Sequence, residues 1–89
     1  MKVEQVRIIN RLGLHARAAA KVVHTANEFE ADIFIGSADE EVNAKSILGL
    51  LTLAATKGTP LAVRAEGKDE EQAVRAIAEL FANRFGEGE

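Results

Sequence analysis

Apolar and polar residues alternate near the start of the chain. In VEQVRII, Val6 and Ile8 fall on one face and Gln5 and Arg7 on the other, as a half-buried strand requires. The segment ADIFIGSADEEVNA holds two short extended runs around Ala38-Asp39, a weaker hairpin signal than Asn-Gly or Asp-Gly. Leu61, Val63 and Ala65 share one face of a fourth strand, with Pro60 near its start, where a proline is tolerated.

Three segments between and after these strands follow helical spacing instead. From Ala16, one arc of the wheel carries Ala19, Ala20, Val22, Val23 and Ala26, and the opposite arc Arg17, Lys21, His24, Thr25 and Glu28. The last helix is expected to start at Asp69, with Gln72 as capping-box partner and Glu70 and Glu71 in the favourable first turn. Its apolar arc is Val74, Ile77, Leu80, Phe81 and Phe85, and Gly86 supplies a stop. The order β-α-β-β-α-β-α, without repeats or linkers, predicts one α+β domain over residues 1–89, a four-stranded sheet with helices on one face.

The middle helix carries more apolar surface than such a domain needs. In AKSILGLLTLAATKG, Ser46 stands where the helix begins. Leu50, Leu53 and Ala54 occupy one arc, and Ile47, Leu48, Leu51 and Ala55 a second. Either the sheet and a neighbouring helix bury both arcs, or the second arc is a docking face rimmed by Lys45 and Lys57. A phosphate on Ser46 would suit the helix dipole and place charge beside Ile47 and Leu48, changing what docks more than the fold.

Composition narrows the chemistry. The absence of cysteine excludes disulfides, thiolate metal sites and a thiol nucleophile. No signal peptide is read at the N-terminus, and Ile47–Ala55 is far too short to span a bilayer, so the cytoplasm is the expected location. Within residues 1–27, Lys2, Arg7, Arg11, Arg17 and Lys21 oppose only Glu4, a local +4 in a chain of net charge −3. A basic N-terminal region in an acidic protein suits an anionic ligand or partner there, while the lack of Trp and Tyr argues against nucleic acid.

That basic region contains RLGLHARAAAKVV, in which His15 sits where a glycine-marked turn becomes a helix. The first N–H groups of a helix lack intrahelical partners, and the dipole adds positive potential there. A neutral imidazole at that end offers a ring nitrogen as nucleophile, a phosphoryl group on it would meet free N–H donors, and Arg17 would add a charge-assisted contact. Histidine is a poor N-cap, so capping does not explain its presence. The alternative is an ordinary surface histidine. His24 lies too far away to share a metal ion with His15, about 13 Å along the helix, and is read as a surface residue at a partner contact. No cofactor or metal is expected, and no nucleotide-binding or hydrolase motif is present.

GLHARAAAKVV together with VNAKSILGLLTLAATKG resembles the HPr family, the histidine-containing phosphocarriers of the bacterial phosphoenolpyruvate:sugar phosphotransferase system. The resemblance covers essentially the whole chain. It implies an open-faced β-sandwich, a phosphoryl group carried on the δ nitrogen of His15, and Arg17 beside that group. It implies enzyme I as donor, sugar-specific IIA proteins or domains as acceptors, and a monomer without enzymatic activity of its own. The implied partner surface comprises Arg17, Ala20, Lys21, His24, Lys45, Ile47, Leu48 and Leu51. Ser46 matches a regulatory serine used in part of the family, which adds a serine kinase, a phosphatase and a transcriptional regulator as partners. The family usually has proline where Ala18 stands; alanine keeps the helix and restores an N–H. The rival reading is a regulatory interaction domain that works through the surface of the first two helices without carrier turnover.

Overall fold

The computed structural model describes residues 1–37 and 39–89; Ala38, half of the dipeptide expected at the hairpin, lies outside them. The elements run β1 (Lys2–Arg7), α1 (Ala16–Ala26), β2 (Asp32–Gly36), β3 (Glu41–Asn43), α2 (Ile47–Thr52), β4 (Pro60–Glu66) and α3 (Glu70–Ala82), followed by a 3₁₀ turn, Arg84–Gly86. The sheet is antiparallel throughout, in the order β1-β4-β2-β3. This is the expected α+β, open-faced β-sandwich.

Alternation puts one face of the sheet into the core. Ile33 pairs with Ala65 and Ile35 with Val63 across β2 and β4, and Val6 of β1 pairs with Leu61. All of these are buried except Val6, which is half-buried. Ala73, Val74, Ile77 and Phe81 of α3 join this core, as do Ala18, Ala19, Val22 and Ala26 of α1. Three alanines among those four α1 positions let that helix lie close to its neighbours α2 and α3. On the open face, Arg64 lies 4.4 Å above the Phe34 ring centre and binds both Glu41 oxygens, at 2.7 and 3.0 Å.

Two helices differ from expectation. Asp69 does precede α3, but its side chain makes no capping bond. Its two oxygens instead accept the backbone N–H groups of Glu30 and Ala31, both at 2.9 Å. Those amides arrive from the α1–β2 connection, so a tertiary contact replaces the local capping box. The bond from Glu30 and then that from Ala31 hold the Asp69 carboxyl below its ordinary value against partial desolvation. The stability this contributes is complete above about pH 4 and is lost as pH falls through the lower folded-state value. Asp69→Asn is therefore expected to destabilise the fold at neutral pH and to flatten acid unfolding between the two values. An unchanged acid-denaturation profile by circular dichroism would reject that role.

The middle helix α2 is only six residues long. Ala54 adopts a left-handed conformation (φ 48°) that turns the chain after Leu53. Ala55 is thereby buried and leaves the exposed arc on which the wheel placed it. The two arcs do separate at their start: Leu50 is fully buried, while Ile47 is 41% and Leu48 77% exposed. Leu51 is half-buried, between the two.

Candidate functional site

Construction of the site begins three residues before the first helix. Gly13 has φ +70°, and a Cβ there would stand 2.5 Å from the carbonyl oxygen of Ala55. That carbonyl accepts the N–H of Leu14 at 2.9 Å, so the turn after α2 fixes the approach to His15. His15 is extended (φ −88°, ψ −179°) and is itself the N-cap of α1. Its Nδ1 accepts the backbone N–H of Arg17 at 3.3 Å, a capping role not expected of histidine. The first intrahelical bond is from Ala19 N–H to the His15 carbonyl, at 2.8 Å. The earlier amides of Ala16, Arg17 and Ala18 thus lie at the open end of the helix, beside Nδ1. Ala18, buried in the core, contributes the N–H that a proline would lack.

The other ring nitrogen faces the end of the chain. His15 Nε2 donates to Oε2 of Glu87 in a short contact, and Glu87 Oε1 accepts from Asn10 Nδ2 at 2.8 Å. Asn10 is fully buried and its amide also donates to the Gly13 carbonyl at 2.8 Å, tying both sides of His15 to one side chain. The bond from Asn10, then the His15 and Arg17 contributions, keep the Glu87 carboxyl below its usual value despite partial desolvation. Since Nδ1 accepts a backbone N–H and a carboxylate can only accept, the ring hydrogen belongs on Nε2, and the Nδ1 lone pair is engaged only by the long Arg17 bond, which must open for Nδ1 to attack.

Residues 84–89 reach the site by a chain reversal. Arg84, Phe85 and Gly86 all have left-handed backbones (φ 54°, 55° and 79°). Phe85 is buried edge-to-face against Phe81, with ring centres 4.9 Å apart. Lys21 Nζ donates to the Phe85 carbonyl, and Arg11 binds the Glu89 carboxylate through Nε at 2.8 Å. Arg11, Leu12, Arg17, Lys21 and residues 86–89 line an open cleft of about 350 Å³. Among the described residues the Arg17 guanidinium has no ion-pair partner.

The sequence reading identified His15, Arg17 and Lys21 but missed Glu87, Asn10 and the exposed Leu12 (55%). The acidic end GEGE, set against a basic first third, was the available signal for the tail. Ala20 and His24 are exposed on α1, as a contact surface requires. Lys45 is less free than expected: half-buried, its Nζ donates to the Phe29 carbonyl at 2.9 Å. Ser46 caps α2, with Oγ accepting the Gly49 N–H at 3.1 Å. No group of three potential metal ligands is found among the described residues.

Residues 2–83 match the family described as "PTS HPr component phosphorylation site". The chain belongs to the HPr family. Similar HPr proteins include the Phosphocarrier protein HPr of Neisseria meningitidis serogroup A, 46% identical over 86 residues and 97% of each chain. That of Xylella fastidiosa strain 9a5c is 50% identical over 80 residues, 90% of each chain. A crystal structure of HPr from Thermoanaerobacter tengcongensis superposes with a TM-score of 0.95 at 42% identity, covering both chains completely. The HPr relatives are phosphocarrier proteins, and among the described residues no helix is long and apolar enough to cross a membrane.

Proposed function

We propose that this HPr-family chain carries a phosphoryl group on Nδ1 of His15, taking it from phosphorylated enzyme I and passing it to sugar-specific IIA proteins or domains in the cytoplasm. The observation that carries this reading is the division of labour on the ring: Nε2 is bound to Glu87, and Nδ1 lies with its lone pair at the open end of α1. Nδ1 attacks phosphorus in line, and the donor's phosphorus–nitrogen bond breaks with its electron pair returning to the donor ring. The N–H groups at the helix end and the Arg17 guanidinium are suited to receive the phosphoryl oxygens. Transfer to an acceptor histidine or cysteine reverses these steps. Such chemistry requires positioning and charge stabilisation more than covalent machinery. A shallow site suits it, because a partner must bring its own reacting atom to His15.

The exposed Ile47 and Leu48 on α2, with Ala20, Lys21 and His24 on α1, supply the partner surface in this reading. Lys45 and Leu51, both half-buried, belong to its margin. The chain acts as a monomer.

Incubation with enzyme I and phosphoenolpyruvate tests the function. Intact mass should rise by one acid-labile, alkali-stable phosphoryl group; no gain, with enzyme I active on another carrier, overturns it. Arg17→Glu is expected to lower the transfer rate by roughly tenfold or more, by replacing a charge-assisted donor with a repelling carboxylate. Unchanged transfer kinetics would remove Arg17 from the assignment.

The position of Ser46 favours a second, regulatory reading. Its hydroxyl caps α2 immediately before the exposed Ile47 and Leu48. A serine kinase and phosphatase acting there would alter docking to partners, including a transcriptional regulator. A chain that takes no phosphoryl group on His15 but is a substrate for such a kinase would fit this reading alone.

A further inference from the structure

We propose that Glu87 is a positioning residue for phosphoryl transfer: through Nε2 it fixes the tautomer of His15 and balances the charge the ring gains when Nδ1 takes up a phosphoryl group. This rests on the carrier reading above and adds to it a role for the carboxylate on the far side of the ring.

The contacts around the ring are the first support. A neutral imidazole has a single N–H, and the two ring nitrogens here face opposite demands. Glu87 Oε2 can only accept, and the Arg17 N–H can only donate. Without Glu87, only the long 3.3 Å bond from the Arg17 N–H would favour that tautomer, and a hydrogen on Nδ1 would block the nucleophile.

The second support is how firmly the carboxylate is held. Its Oε1 is bound by the buried amide of Asn10, which is in turn fixed on the Gly13 carbonyl. The Glu87 side chain is only 12% exposed. The chain on either side is tethered, by Lys21 at the Phe85 carbonyl and by Arg11 at Glu89. A loosely placed surface glutamate would have none of these.

Charge balance supplies the third support. Attack by the Nδ1 lone pair forms a nitrogen–phosphorus bond while the donor's phosphorus–nitrogen bond breaks and its nitrogen keeps the electron pair. The His15 ring retains its Nε2 hydrogen and becomes a cationic phosphoimidazolium. The positive end of α1 opposes a ring cation, whereas the Glu87 carboxylate on the far edge offsets it. On the return transfer the electron pair goes back to Nδ1 and the ring is neutral again. No proton changes hands and no further reactant is required.

Phosphoramidate is the probe of choice, since it phosphorylates an imidazole with loss of ammonia and needs no docking surface. The unaltered chain, Glu87→Ala, Glu87→Gln and Glu87→Asp would be compared for uptake rate and for the ¹⁵N spectrum of the His15 ring. Glu87→Ala should slow uptake by about 10–100-fold and give a mixture of ring tautomers. Glu87→Gln, which keeps an acceptor oxygen but no charge, should retain the Nε2–H spectrum and still transfer slowly. Glu87→Asp should recover most of the rate. If the alanine variant fails to fold, the near-isosteric glutamine variant decides. Uptake at the unaltered rate in the variants, with an unaltered ring spectrum, overturns the role of Glu87 and leaves the carrier reading standing. An unaltered chain that accepts phosphoryl from neither phosphoramidate nor enzyme I overturns both.

Discussion

His15→Ala is expected to abolish phosphoryl uptake from enzyme I and phosphoenolpyruvate while leaving the protein folded. The reasoning follows the groups around the ring. Alanine removes Nδ1, and the other histidine does not replace it: His24 lies in the last turn of α1, away from the open N–H groups at the helix start. The structural cost is small, because losing a side-chain cap removes about 0.5–2 kcal/mol and His15 caps through a long 3.3 Å bond. Glu87 keeps its bond from Asn10. Intact mass and acid lability before and after incubation provide the readout, with circular dichroism to verify folding. Labelling retained in a folded alanine variant would move the phosphoryl site to another residue.

The largest effect on stability is expected from Phe81→Ala. Phe81 is 1% exposed and joins the inner face of α3 to the sheet, so its removal leaves a cavity and should cost about 3–5 kcal/mol. A domain of this size has a total of only about 5–15 kcal/mol, so the variant should stand near the limit of folding at 37 °C. Its consequences extend to the site. Phe85 packs edge-to-face on Phe81 and anchors the reversed chain that carries Glu87. The variant should therefore loosen residues 86–89 before it unfolds globally, giving faster amide exchange there. A urea midpoint equal to that of the unaltered chain would contradict the packing argument, and protected tail amides would contradict the link to the site.

Much of this architecture was legible because it follows short-range periods. Alternation assigned the buried face of β4, and the break at Gly13 followed by an amphipathic wheel set the start of α1 within a residue. What escaped was non-local or conformational. Glu87 meets His15 across 72 positions in the chain, and no periodicity encodes such a meeting. Ala54 ends α2 with a positive φ, which an alanine gives no reason to expect. Asp69 was the right residue type for a helix start, but two amides from another segment competed successfully for its oxygens. Within the site, His15 and Arg17 were readable because both lie in one turn of helix, whereas Asn10 had no pattern pointing to it.

The strand order has a consequence for synthesis on the ribosome. Since, among the described residues, β1 pairs only with β4, Lys2 against Ala65 and Arg7 against Pro60, β1 must wait for a strand more than fifty residues later before its sheet hydrogen bonds can form. His15 emerges early, its carboxylate partner 72 positions later. A nascent chain interrupted before Pro60 thus holds the histidine and α1 but neither a closed sheet nor the Glu87 contact. The reactive imidazole gains its carboxylate partner only after Glu87 has been added, 72 positions beyond it.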